Sequence, residues 1–155
     1  MTSSYKIVAR RSSVDSLLDA SEIEELASEM EEWRDGMSGT SLESTEKYNA
    51  VDEAADTLRD TFTELESQID DLRNLLDERT LKTEVQYVER ELRYKRRSGP
   101  SRDVRVGNWI SGIRAVLDYL TEAIKPDVTE VHTSIDSITS LTEDLEGIEF
   151  PGMYS

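Results

Sequence analysis

The sequence predicts an all-α fold in which antiparallel helical hairpins form a coiled-coil-like bundle with one long central helix. Apolar residues recur at alternating steps of three and four along most of the chain, which is the pattern of a buried helical stripe. Glycine or proline breaks separate the stripes, and connections this short make neighbouring helices fold back on one another. We therefore expect residues 1–155 to form a single helical domain, with a short extended segment near 83–95 as an alternative to helix there.

The first helical hairpin is predicted over residues 14–79. Ser21 and Glu24 have the spacing of a capping box, so the first helix is expected to begin at this serine. Gly36 and Gly39 mark the turn that follows it. The stripe between these signals consists of Ile23, Leu26, Met30, Trp33 and Met37.

The longest stripe predicts the central helix over residues 45–79. At 1.5 Å per residue such a helix is about 50 Å long. Ser44 or Thr45 is placed to cap its start. The stripe consists of Tyr48, Val51, Ala55, Leu58, Phe62, Leu65, Ile69, Leu72 and Leu76.

The second helical hairpin is predicted over residues 101–146. Its two helices are separated at Lys125, because proline disfavours helical geometry in the residue before it. Gly107 and Gly112 fall inside the first of them, and such small residues are expected to let another helix approach closely. The two stripes consist of Val106, Ile110, Ile113, Leu117, Leu120 and Ile124, and of Val128, Val131, Ile135, Ile138, Leu141 and Leu145.

Three segments remain, which we interpret as an N-terminal arm (1–12), a basic connector (80–100) and a C-terminal tail (147–155). The connector has two interpretations. Its apolar residues would extend the central helix after a step of five from Leu76 to Leu81, and this helical interpretation is favoured. Its β-branched content also permits the short extended segment near 83–95.

The chain is strongly acidic, with 18 lysines and arginines against 34 acids and a formal net charge of -16. This charge opposes attraction to nucleic acid and to anionic membranes, so neither is expected as a partner. Apolar runs are far shorter than the roughly 18 residues of a membrane span, and the start lacks a signal-peptide core. We expect a protein that is neither secreted nor membrane-bound.

The sequence contains no recognisable catalytic or metal-binding pattern. Cysteine is absent, which excludes thiol nucleophiles and cysteine-based zinc sites. The one histidine, His132, follows Glu130 by two residues, whereas ferritin-like di-iron sites need a separation of three. Phosphate-binding glycine loops and calcium loops are missing as well. The sequence therefore predicts a non-enzymatic protein without a metal or cofactor.

Positive charge is concentrated between residues 90 and 105, where six arginines and one lysine stand against two acids. One interpretation is that these cations neutralise acidic helices within the chain or in a second copy. A second is that they dock on another acidic protein, and a third, that with nearby tyrosines they contact nucleic acid. The candidate partner-binding residues are Arg90, Arg93, Tyr94, Lys95, Arg96, Arg97, Arg102, Arg105 and Trp109.

Two segments carry a resemblance to known proteins. EIEELASEMEEWRDGMSGTSLESTEKYNAVDEAADTL, which begins at Glu22, and SRDVRVGNWISGIRAVLDYL, which begins at Ser101, resemble segments of small acidic helical proteins of tailed bacteriophages. The resemblance implies a viral setting, in a virion or in the host cytoplasm.

In that setting we expect a structural or interaction protein, such as a head accessory, decoration or connector-associated protein that binds a capsid, portal or tail protein or itself. The high negative charge supports an alternative: an acidic DNA mimic or host-takeover protein that blocks a DNA-binding enzyme.

Overall fold

A computed structural model describes residues 6–94 and 101–151. The described chain is mostly helical with one small antiparallel sheet, so the all-α prediction is confirmed apart from two strands. In chain order the elements are β1 (Lys6–Ser13), α1 (Val14–Leu17), α2 (Ser21–Met37), α3 (Glu46–Glu78), β2 (Tyr87–Tyr94), α4 (Arg102–Ala123) and α5 (Thr129–Glu146). Short 3-10 turns occupy Ser41–Ser44 and Thr83–Val85.

Helices α2 and α3 run antiparallel. Arg34 near the end of α2 pairs with Asp52 near the start of α3, whereas Arg73 near the end of α3 reaches the Leu18 carbonyl just before α2. The Thr45 hydroxyl accepts a hydrogen bond from the Tyr48 amide at 3.1 Å, which caps α3 as expected. The long stripe of α3 is buried from Val51 to Leu76, so this helix supplies much of the core.

The predicted capping box at Ser21 is wrong. Ala20 occupies the N-cap position and Ser21 is the first helical residue. The Asp19 carboxylate accepts bonds from the Ser21 amide at 2.9 Å and from its hydroxyl at 3.0 Å. An aspartate two residues earlier therefore takes the role that the serine was expected to have.

Helices α4 and α5 also run antiparallel, and α5 packs against α3. Arg114 of α4 donates to Glu146 at the end of α5 at 2.5 Å, and Arg79 after α3 lies 3.5 Å from Glu130 at the start of α5. The buried faces of α2, α3, α4 and α5 join in one apolar core.

The favoured helical interpretation of the connector is wrong for its described residues, and the extended alternative is correct for Tyr87–Tyr94. Helix α3 ends because Thr80 adopts a left-handed conformation with φ 58°. The Leu81 amide then bonds back to the Leu76 carbonyl at 3.0 Å, and Thr80 bonds to Asp77 at 3.0 Å, which is a Schellman ending. The step of five between Leu76 and Leu81 therefore marks the end of a helix rather than a phase shift within it.

Within the segment interpreted as an N-terminal arm, the described residues from Lys6 onward form strand β1. It pairs antiparallel with β2 from Lys6 opposite Tyr94 to Ser13 opposite Tyr87. Helix α1 follows at once, and the Val14 amide extends the ladder by donating to the Gln86 carbonyl at 2.8 Å. The pairing joins segments remote in sequence, so local periodicity carries no sign of it.

Candidate protein-interaction site

Five cationic side chains lie on the two strands, and we call them together the basic strand surface: Lys6, Arg10, Arg11, Arg90 and Arg93. Arg10 lies directly opposite Arg90, and Arg93 lies opposite Ile7. Directly opposite residues share a face of a sheet and successive residues alternate between faces. Arg10 and Arg90 therefore occupy one face, and Arg11 and Arg93 the other.

Within residues 6–94 and 101–151, none of these five cations forms an ion pair with a carboxylate. Arg90 donates to the Ser12 hydroxyl at 3.3 Å, and the Arg11 guanidinium lies 4.9 Å from the centre of the Tyr87 ring. Arg90 is half-buried and the other four cations are exposed. The basic strand surface therefore presents positive charge that these residues do not neutralise.

Burial lowers the pKa of the Arg90 guanidinium, and the neighbouring charge of Arg10 lowers that pKa further. The Arg90 side chain crosses α4 at Gly112, where an added Cβ would lie 3.3 Å from the Arg90 Cδ and 3.0 Å from the Leu17 Cδ2. Gly112 thus meets the expectation of close packing. A Cβ on Gly107 would meet nothing within 4 Å, so that part of the expectation is wrong.

Helix α4 covers one edge of the strand pair. The Asn108 side chain accepts from the Arg93 amide at 2.8 Å and donates to the Arg93 carbonyl at 2.9 Å. The Ser111 hydroxyl accepts from the Glu91 amide at 3.3 Å. These two side chains satisfy backbone groups of β2 that a third strand would otherwise occupy.

Two predicted partner-binding residues, Arg102 and Arg105, instead neutralise acids of α2. Arg105 lies 2.9 Å from a carboxylate oxygen of both Glu22 and Glu29, and Arg102 lies 3.2 Å from Glu29. Burial alone would lower the pKa of Arg105, but its hydrogen bonds to these two glutamates outweigh burial and raise that pKa. The interpretation that the cations neutralise acidic helices within the chain therefore applies to these two arginines.

Trp109 is also directed into the molecule. It is 9% exposed, and its indole N–H donates to the Asp19 carbonyl at 2.7 Å. This bond fastens α4 to the segment that precedes α2. Trp109 therefore contributes to packing and does not share the surface of the strand pair.

The remaining predicted residues lie at the end of β2 or beyond it. Tyr94 ends the strand and is 40% exposed. Lys95, Arg96 and Arg97 lie outside the described residues. The structure thus brings Arg90, Arg93 and Tyr94 together on one strand.

Sequence reasoning missed Lys6, Arg10 and Arg11, which the strand pairing brings next to the basic connector. One signal was available: these three cations precede the first acid of the chain, Asp15, in a protein with an excess of acids. Charge counted over the N-terminal segment would have marked it as a second basic region.

Negative charge covers the outer sides of α3 and α5. Many acids there are exposed: Glu53, Asp56, Asp60, Glu64, Glu66, Asp70, Asp71, Asp136, Glu143, Asp144 and Glu146. Helix α5 contains no lysine or arginine. The molecule therefore has separate acidic and basic surfaces.

The described part of the chain offers few side chains that are arranged for catalysis or metal binding. The His132 Nε2 lies 3.1 Å from the Lys125 carbonyl oxygen and 3.2 Å from that of Ile124, so this nitrogen carries a hydrogen and caps the end of α4. Within the described ranges, histidines and acids nowhere cluster in a metal-binding arrangement, and no helix has the length and apolar character needed to cross a membrane.

Comparison of the chain with protein-family models, with curated proteins and with solved structures gave no significant match.

Proposed function

We propose that this chain is a non-enzymatic assembly protein that binds an acidic protein partner through its basic strand surface. One observation carries the proposal: the cations of the strands have no carboxylate partner in the described chain, whereas the arginines of the helices all have one. Glu89 lies opposite Arg11 in the strand pair but forms no ion pair with it, and cations without an ion-paired carboxylate, in a chain of net charge -16, favour docking on a complementary acidic surface.

The setting we propose is a bacteriophage virion, in which the chain is a head accessory, decoration or connector-associated protein. Its resemblance to small acidic helical proteins of tailed bacteriophages supports this setting, and a capsid, portal or tail protein is then the partner. We further propose that the helices pack as a coiled-coil-like bundle, which supplies a rigid body for assembly. Mass spectrometry of purified virions tests the setting, and absence of the chain from particles would contradict it.

A matched pair of variants tests the docking surface. Arg11→Gln with Arg93→Gln removes two exposed charges from the strands, and Lys82→Gln with Lys125→Gln removes two exposed charges elsewhere. Both variants have the same net charge. Association with immobilised poly-glutamate, measured over a range of salt concentrations, is expected to weaken for the strand variant alone. Equal weakening in both would show that only net charge matters, and would contradict a docking surface.

The acidic surface of α3 and α5 supports a second candidate function, an acidic DNA mimic that blocks a DNA-binding enzyme. Closely spaced carboxylates along two packed helices resemble in charge the phosphates of a duplex. Competition between this protein and duplex DNA for a host nuclease or polymerase tests this candidate. Unchanged DNA binding by the enzyme in excess protein would exclude it for that enzyme.

A further inference from the structure

Building on the proposed function, we propose that the open edge of β1 binds an extended acidic segment of the partner as a third strand. The partner would then be held by backbone hydrogen bonds as well as by charge. This mode of recognition depends on three features of the strand pair: which edge is free, which backbone groups point outward, and which side chains border them.

Only one edge of the strand pair is free among the residues that the structure describes. The other edge is occupied by Asn108 and Ser111 of α4, which bond to Arg93 and Glu91. Strand β1 makes its main contacts with β2, α1 and the turn at Thr83–Val85, and within the described ranges nothing hydrogen-bonds to the backbone groups of its far edge.

The register identifies the backbone groups on the free edge. In an antiparallel pair, opposite residues either exchange hydrogen bonds or both point their backbone groups away from each other. Because Arg93 and Glu91 direct theirs to α4, their opposite residues Ile7 and Ala9 direct theirs outward. Arg11 lies two residues beyond Ala9, so its backbone groups also point outward. In the described chain, the outward N–H and C=O groups of these three residues have no hydrogen-bond partner.

The side chains along this edge favour a foreign acidic strand over a second copy. Within the described chain, the only open edge that a second copy offers is its own β1, which carries the three cations Lys6, Arg10 and Arg11 and no acid, so self-pairing provides no opposite charge for them. Like charges in neighbouring strands destabilise pairing, whereas opposite charges stabilise it. A segment with carboxylates opposite these cations is therefore the occupant that the edge fits.

The exposed face adds an apolar requirement. Ile7 is 58% exposed. It lies on the same face of the sheet as Arg11, four residues away along β1. A segment that alternates acidic with β-branched residues can place a carboxylate near one of these cations and an apolar side chain on Ile7. We therefore infer an acidic, β-branched, extended motif as the partner's recognition element.

The test uses a short synthetic peptide that alternates glutamate and valine, added to the full chain and followed by amide hydrogen exchange in NMR. We expect the amides of Ile7, Ala9 and Arg11 to become protected, whereas those of Arg93 and Glu91 are unchanged because α4 already holds them. Protection spread evenly over both strands, or confined to the helices, would overturn strand addition.

Two backbone changes separate hydrogen bonding from charge. Ala9→Pro removes one outward N–H without altering charge, and proline is tolerated at the solvent side of an edge strand. It is expected to weaken peptide binding about tenfold. N-methylation of alternate peptide amides should weaken binding to the unaltered protein by a similar factor, so the test does not depend on the folding of the proline variant.

The outcomes also distinguish this inference from the proposed function. Peptide binding that is sensitive to Lys6→Gln with Arg10→Gln, the cations on the face opposite Ile7, but indifferent to proline and N-methylation would overturn strand addition and leave electrostatic docking in place. Failure of both the peptide and poly-glutamate to bind would overturn both. Self-association of a variant with Lys6, Arg10 and Arg11 neutralised, without peptide binding to the original chain, would assign these cations to keeping copies apart.

Discussion

The arginines of the helices and those of the strands differ in whether a carboxylate pairs with them. Seven arginines within or directly after helices each pair with at least one carboxylate: Arg34, Arg59, Arg73, Arg79, Arg102, Arg105 and Arg114. Four arginines of the strands pair with none in the described chain: Arg10, Arg11, Arg90 and Arg93. In a protein with so many acids, this contrast requires a geometric explanation.

Packed helices lie 8–10 Å apart, which is within reach of an arginine on one helix and a glutamate on the next. Arg59 of α3, for example, lies 2.7 Å from Glu31 of α2. The strand pair instead places Arg10 opposite Arg90, and its two acids, Glu89 and Glu91, form no ion pair in the described chain. The same residue type therefore joins elements in the helical part and remains available for a partner on the sheet.

Arg73→Met should give the largest loss of stability. Arg73 donates to the Asp15 carboxylate at 2.6 Å, to the Asp15 carbonyl at 2.7 Å and to the Leu18 carbonyl at 2.5 Å. Methionine preserves much of the apolar stem but leaves these acceptors without their donor, at a cost of about 1–3 kcal/mol in the free energy of unfolding. Urea unfolding measures it. Arg93→Met is the control. Its free energy of unfolding is expected within about 0.5 kcal/mol of that of the original protein, because the Arg93 side chain is exposed. Equal losses in the two variants would contradict the difference between helix and strand arginines.

Arg105→Gln should give the second largest loss of stability. In the described chain it leaves Glu22 without a cation and Glu29 with Arg102 alone, and we expect a loss of about 1–2 kcal/mol. A double-mutant cycle with Glu22→Gln isolates the pair, and its coupling energy should be favourable. The matched strand change is Arg10→Gln, which should leave thermal stability unchanged. A coupling energy of zero would mean that helix arginines stabilise no more than strand arginines.

Asp15→Asn tests the ion pair between Arg73 and Asp15 through the pH dependence of stability. The hydrogen bond from Arg73 lowers the pKa of Asp15 below its ordinary value of 3.8, although burial acts in the opposite direction. A carboxyl group whose pKa is lower in the folded state stabilises the protein above its unfolded pKa and loses that contribution as the pH falls through the folded pKa.

At pH 7 the original protein should therefore exceed Asp15→Asn by about 0.5–1 kcal/mol, since the carboxylate is half exposed. The difference should shrink below about pH 4. Urea unfolding of both proteins at a series of pH values measures it. A difference that stays constant from neutral to strongly acidic pH would contradict the ion pair as its source.

Arg90→Met should have the smallest effect and the opposite sign. Burial and the charge of Arg10 both oppose the charged form of Arg90, and its one described polar partner is the Ser12 hydroxyl. Methionine keeps an apolar side chain beside Gly112 without a charge to desolvate. We expect the free energy of unfolding to stay level or rise by up to about 1 kcal/mol. A clear loss in thermal unfolding would show that this arginine has a stabilising partner.

The helices could be predicted from sequence because each buries a continuous stripe. Residues such as Leu58, Ile113 and Ile138 repeat at helical spacing and are all fully buried. Strand β2 was predicted only as an alternative to helix and β1 was not predicted, because the pair lies at the surface. In β1 the apolar residues Ile7, Val8 and Ala9 are consecutive, so the sequence shows no period of two although only Val8 is partly buried.

The site was predicted in part for a related reason. Nearness in sequence grouped Arg102 and Arg105 with Arg90 and Arg93. In the fold, a helix turns the first two toward α2 and a strand exposes Arg93. Lys6, Arg10 and Arg11 join the surface only through pairing with a distant segment, which no local pattern of charge or hydrophobicity specifies.

The strand pair also sets the order in which the chain can fold. Ser12 and Arg90, which hydrogen-bond across the sheet, are 78 residues apart in sequence, whereas each helical hairpin closes through a short turn. Closing a long loop carries a larger entropic cost and is slower than local helix docking. Docking within each hairpin is therefore expected to be faster than strand pairing, and during synthesis β1 stays unpaired at least until β2 has left the ribosome.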